Sequence, residues 1–275
     1  VYGEGSLKRV VTGIVLIPII VYLVLFTSVF WIFAASSLLT LLALSEYNNL
    51  TILKRRDGGA DLLGIVAGGG VPALFYLYGM EHLPAFLIAA VFVFFFYNMA
   101  VSRDLKDASY DTAFKTLGVM YIAVPLSYTI ALRQMDGGQW WIMFLLAVIW
   151  SNDTFAYFTG KAIGKTKLCP EISPKKTVEG AVGGIIGGFA AAYLFNRFLY
   201  LGLGPGGVLF LSALAGSIGI AGDLFESLLK RAAGVKDSGT LIPGHGGVLD
   251  RIDSLLFPIP VLYYSLIWHF KALAG

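Results

Sequence analysis

Thiols are almost missing from this sequence: Cys169 stands alone, so an intrachain disulfide is excluded and thiol usage says nothing about compartment. Histidine is nearly as scarce, with three residues far apart, and no second ligand sits at metal spacing near His245, which disfavours a zinc site. Charge is the third deficit, at 13% of 275 residues, against about 25% in soluble globular domains. The formal net charge of +3 is modest, so its placement matters more than its size, and no nucleic-acid partner is expected. There is also no tandem repeat and no low-complexity tract.

What fills the chain instead is apolar: 57% of residues are hydrophobic, gathered in runs of roughly 17 to 25, the length that spans a ~30 Å hydrocarbon core. The expected fold is therefore all-α, a polytopic integral membrane protein of about nine transmembrane helices with a cytoplasmic N-terminus. The spans fall at about 10–27, 29–46, 61–79, 84–101, 116–132, 140–160, 178–200, 206–229 and 254–272. Val1 to Gly5 is set aside as an expression remnant, with the natural start expected near Ser6. The apolar run after Lys8 and Arg9 has no convincing cleavage site, so it is read as a span and not as a signal peptide.

Placing the N-terminus inside puts Lys54, Arg55, Arg56, Arg103, Lys106, Lys115, Lys161, Lys165, Lys167, Lys175, Lys176, Lys230, Arg231, Lys236 and Arg251 in cytoplasmic loops or at their edges. Only Arg133, Lys271 and Arg197 then fall outside, which is the asymmetry that sets membrane orientation. The long polar segments are on the inner side, where function is expected. The chain divides into an N-terminal packing part, 1–135 with spans one to five, and a C-terminal catalytic part, 136–275 with loops 161–177 and 230–253. Glycines spaced by four, such as Gly184 and Gly188, suit close helix packing. A ligand-approach role is expected only for Gly222, beside Asp223.

The chemistry concentrates between Asp223 and Asp253. An apolar helix ends there in Asp223 and Glu226, followed by Lys230 and Arg231; with Ser227 these share a face through spacings of three and four. Glu226 and Lys230 suit a boundary salt bridge, which leaves Asp223 unexplained. A carboxylate at this depth is costly in lipid and calls for protein, water or a partner. A loop with Lys236 and Asp237 then leads through a glycine-rich turn around His245 to Asp250, Arg251 and Asp253. Asp250 and Asp253 lie one turn apart if the last helix starts near Leu249. With Asp223 they form three hard oxygen ligands suited to Mg²⁺, as one or two cations. Carboxylates beside cations point to phosphoryl or nucleotidyl transfer. A second cluster holds Asn152, Asp153, Lys165, Ser173, Lys175, Lys176 and Thr177, the last residues opening a helix whose free amides favour phosphate.

These residues carry a resemblance. From Ser227 to Asp253 the sequence resembles the signature of CDP-diacylglycerol synthases (phosphatidate cytidylyltransferases) without a departure: Ser227, Lys230-Arg231, Lys236-Asp237, Gly239, Pro243, His245-Gly246-Gly247, Asp250-Arg251 and Asp253. Asn152-Asp153, Ala156-Tyr157, Gly160, Gly164-Lys165 and Ile172 to Thr177 are similar to that family's other patterned region. The first five spans match in hydropathy only. The resemblance implies condensation of CTP with phosphatidate to CDP-diacylglycerol and pyrophosphate, dependent on Mg²⁺, in a prokaryotic inner membrane with the active site facing the cytoplasm. It implies catalytic roles for Asp223, Asp250, Asp253, Lys230, Arg231 and His245. Substrate binding would fall to Asn152, Asp153, Lys165, Ser173, Lys175, Lys176, Thr177, Ser227, Lys236, Asp237 and Arg251. Expected partners are CTP, phosphatidate and membrane lipid, with a homodimer as a candidate assembly. A CTP-dependent lipid-alcohol kinase and a cation or phosphate transporter are the competing readings.

Overall fold

The computed structural model describes residues 4–50, 58–102, 104–199, 201–242 and 246–274, with side chains described from 13 to 268 within those ranges. Lys54, Arg55, Arg56, Arg103, Pro243, Gly244 and His245 lie outside the described residues, as do the side chains of Lys8, Arg9 and Lys271. The chain runs α1 (Glu4–Phe26), α2 (Val29–Asn48), α3 (Gly58–Tyr78), α4 (Leu83–Val101), α5 (Leu105–Gly118), a π-helical turn (Val119–Ala123), α6 (Val124–Gln134) and α7 (Gly138–Ile163). It continues through strands β1 (Lys167–Cys169) and β2 (Ser173–Thr177) to α8 (Val178–Leu199), α9 (Pro205–Ala232), α10 (Leu249–Leu256) and α11 (Pro258–Ala274). Seven of the described helical stretches are long and apolar enough to cross a membrane, and the chain is an integral membrane protein. The fifth predicted span extends into the continuous stretch Leu105–Gln134, carried through the π-turn. The ninth is broken where Pro258, which cannot supply a backbone donor, opens α11.

Two compact units interleave along the chain: Val1–Gln134 with Ala232–Arg251, and Met135–Arg231 with Ile252–Gly275. Within the first, α2, α3, α5 and α6 bury Leu44, Tyr47, Phe75, Ile122 and Ile130. A polar knot is set among them. Lys115, 4% exposed, forms an ion pair with Asp61 and donates to Asn48 Oδ1 at 3.0 Å, while Tyr47 donates to the Phe114 carbonyl at 3.1 Å. Breaking a buried pair leaves an uncompensated charge, so Lys115→Met is expected to cost about 3–5 kcal/mol, read as a lowered unfolding midpoint in micelles.

The second unit is organised by α7 against α8. Their backbones approach so closely that a Cβ on Gly184 would sit 2.8 Å from the Asn152 carbonyl oxygen, and one on Gly180 would sit 2.9 Å from that of Ala156. The glycine spacing thus serves helix packing, as small residues do where no water drives association. Between the two helices, β1 and β2 form an antiparallel ribbon with Lys167 opposite Thr177 and Cys169 opposite Ser173. Segment 161–177, expected as a polar loop, is in part this ribbon.

Candidate active site

In the second unit, α7, α8, α9 and the ribbon enclose a cavity of about 230 Å³ whose lining includes Asn152, Asp153, Tyr157, Lys176, Thr177 and Asp223. The two clusters separated by some seventy positions in the sequence meet here. Lys176 Nζ lies 2.5 Å from Asp223 Oδ2. Thr177 caps α8, its Oγ1 accepting Gly180 N at 3.1 Å, which leaves the hydroxyl hydrogen to donate. Asn152 is buried, and its Oδ1 has no hydrogen-bond partner among the described residues. Lys165 and Lys175 are exposed, and Ser173 is half-buried in β2. The Glu179 carboxylate grips the turn that carries Lys165, accepting Lys165 N and Thr166 N at 3.1 Å each.

The acidic end of α9 is more committed than the sequence suggests. Glu226, fully buried, pairs with Lys230 within the helix. Ser227 Oγ lies 3.4 Å from Asp223 Oδ1, and Arg231 Nε donates to the Ile172 carbonyl at 3.2 Å, tying the ribbon to the helix. Facing α9 is α10, whose Asp253 is buried and accepts Ser254 N at 2.8 Å; Ser254 Oγ in turn lies 3.4 Å from Asp153 Oδ2. Asp223 is within electrostatic range of both Asp153 and Asp253. At Gly222, beside Asp223, a Cβ would meet the Asp253 carbonyl oxygen at 2.5 Å, so the glycine lets α9 and α10 approach.

In the first unit, the loop before α10 is laced to carboxylates. Asp250 Oδ2 accepts Ser238 N at 2.9 Å, Ser238 Oγ at 2.9 Å and Gly247 N at 2.8 Å. Lys236, Asp237 and Arg251 are exposed. Glu46 of α2, passed over in the sequence, accepts Val248 N and Leu249 N at 2.9 and 2.8 Å. The sequence marked Asp153 because it lies within a span, whereas Glu46 closes one and so carried a weaker cue.

Among the described residues no three His, Cys, Asp or Glu side chains close a metal cage. Mg²⁺ does not require one, since one or two carboxylates plus waters and substrate phosphates suffice. Asp223 and Asp253, hard oxygen donors that repel each other, fit that donor set, and the Lys176 ammonium already balances Asp223 from the cavity side.

Residues 7–269 match the sequence profile of the cytidylyltransferase family. The phosphatidate cytidylyltransferase of Bacillus subtilis (strain 168) is 46% identical over 157 residues, covering 57% of this chain and 58% of that protein. That of Staphylococcus saprophyticus is 34% identical over 271 residues, covering 95% of this chain and 98% of the relative. The Staphylococcus aureus (strain COL) protein of the same name is 31% identical over 270 residues, with the same coverage.

Proposed function

Because this chain belongs to the cytidylyltransferase family, we propose that it is a phosphatidate cytidylyltransferase, a membrane nucleotidyltransferase that makes CDP-diacylglycerol and pyrophosphate from CTP and phosphatidate. The observation that carries the reading is the cavity in which Asp153 of α7, Asp223 of α9 and Lys176 of β2 converge. At about 230 Å³ it is smaller than the ~300 Å³ at which pockets for drug-sized ligands begin, which suits the reacting phosphates while base and acyl chains extend beyond. Family membership selects nucleotidyl transfer over the kinase and transport readings.

In the reaction, a phosphate oxygen of the lipid forms a bond to the CTP α-phosphorus as the bond to the β-phosphate oxygen breaks, and pyrophosphate leaves with the electron pair. The attacking oxygen is already ionised near neutral pH, so positioning and charge compensation dominate. Lys176 supplies an ammonium for phosphate oxygens, with Lys165 and Lys175 on the exposed ribbon side steering polyanions toward it. Asp223 and Asp253 would hold Mg²⁺, with Asp250, one turn before Asp253 on α10, as the third proposed ligand. The bound cation would neutralise charge on the leaving group. Arg231 keeps the ribbon in register by holding the Ile172 carbonyl. Lys230 is paired with Glu226 and contributes its charge from the helix end. We place the site at the cytoplasmic face of a bacterial inner membrane, from the asymmetry of basic residues.

The test uses purified protein in micelles with phosphatidate, Mg²⁺ and CTP labelled at either the α- or the γ-phosphate. α-Label is expected in a lipid-soluble product and γ-label in pyrophosphate. γ-Label in the lipid would overturn the assignment in favour of a kinase.

A further inference from the structure

We propose that Glu46 is a positioning residue, setting the loop and helix start that present Asp250; this rests on the cytidylyltransferase reading and extends it to a side chain on α2. Helices begin with backbone amides that have no intrahelical acceptor. At α10 those of Val248 and Leu249 are taken by Glu46, one on each carboxylate oxygen, at 2.9 and 2.8 Å. A negative group is favoured there by the helix dipole as well. Glu46 is 7% exposed, so its charge is committed to these contacts and not to solvent.

Ser238 couples that anchor to Asp250. Its hydroxyl lies 3.2 Å from Glu46 Oε2 and 2.9 Å from Asp250 Oδ2, and carrying one hydrogen it donates to one of them at a time. Two glycines show how closely the loop is moulded around the carboxylate. A Cβ on Gly239 would meet Glu46 Oε1 at 2.7 Å, and one on Gly247 would meet Oε2 at 2.4 Å. Among the described residues, the hydrogen bonds of the Glu46 carboxylate thus go to Ser238, Val248 and Leu249, although more than 190 positions separate them in sequence.

Glu46→Gln keeps the shape but turns an amide NH₂ toward a backbone donor. Residues that orient ligands typically cost 10–100-fold when changed, and a fall in kcat of about that size is expected, with a higher Mg²⁺ concentration for half-maximal rate and an unchanged KM for phosphatidate. Hydrogen exchange at the Val248 and Leu249 amides is expected to quicken while the α2 amides keep wild-type protection. A merely structural role would instead raise exchange along α2 and leave the Mg²⁺ requirement alone, which overturns the proposal, as would wild-type kcat and exchange. If Glu46→Gln does not purify folded, Ser238→Ala decides: a several-fold loss with the same Mg²⁺ shift supports the proposal, and wild-type values overturn it. Failure of the wild-type protein to form a CDP-lipid would strike the underlying reading alone, since exchange at Val248 and Leu249 in Glu46→Gln still judges the positioning.

Discussion

Asp253→Asn is expected to lower CDP-diacylglycerol formation by about 10²- to 10³-fold, the loss that follows removal of one preorganised electrostatic group from an active site. The substitution is conservative in shape, and its amide oxygen can still accept the Ser254 N–H now received at 2.8 Å. What disappears is the charge facing Asp223. Asp223→Asn is expected to act in the same direction and also to release Lys176 from its ion pair. Single-turnover measurements with labelled CTP, beside elution volume and helix content in micelles, separate lost chemistry from lost fold. Near-wild-type rates in both variants would remove the carboxylate pair from the mechanism.

The second large effect is steric. Gly222→Ala places a methyl group 2.5 Å from the Asp253 carbonyl oxygen, and because that oxygen is backbone, no rotamer change relieves the clash. Overpacking of this kind costs about 1–3 kcal/mol, and displacing a reacting group by about 1 Å costs on the order of 10²-fold in rate. Gly207→Ala is the matched control on the same helix, where the added Cβ would meet Leu203 at 3.6 Å, an ordinary contact. Its thermal midpoint is expected to hold or rise, since alanine is a better helix former by up to about 1 kcal/mol. If the two variants unfold and turn over alike, close approach of α9 and α10 is not what Gly222 provides.

Much of this was legible in the sequence, and the exceptions have physical reasons. The helices followed from uninterrupted apolar runs, because lipid forces the backbone to satisfy itself locally. Asp223 was singled out through the cost of a carboxylate in a membrane, and Lys176 through its place just before a helix start. Their meeting was not, because nothing local to α7, the ribbon or α9 encodes which ends come together. The ribbon was missed for a related reason: three and five residues are too few to show alternation, and Ser-Pro-Lys-Lys-Thr has little of the apolar character that marks a strand. Pro258 was within the ninth span without being used as a break. Glu46 was read as the last residue of a span, and a carboxylate at a boundary is unremarkable until its acceptors are seen to be occupied by a distant loop.

That distance has a consequence for how the protein is made. Val248 lies 202 residues beyond Glu46, and at about 5–20 residues per second of synthesis the donors reach the ribosome's exit on the order of 10 to 40 s after the carboxylate does. Throughout that interval the nascent α2 carries a carboxylate whose hydrogen-bond donors at the start of α10 have not yet been translated.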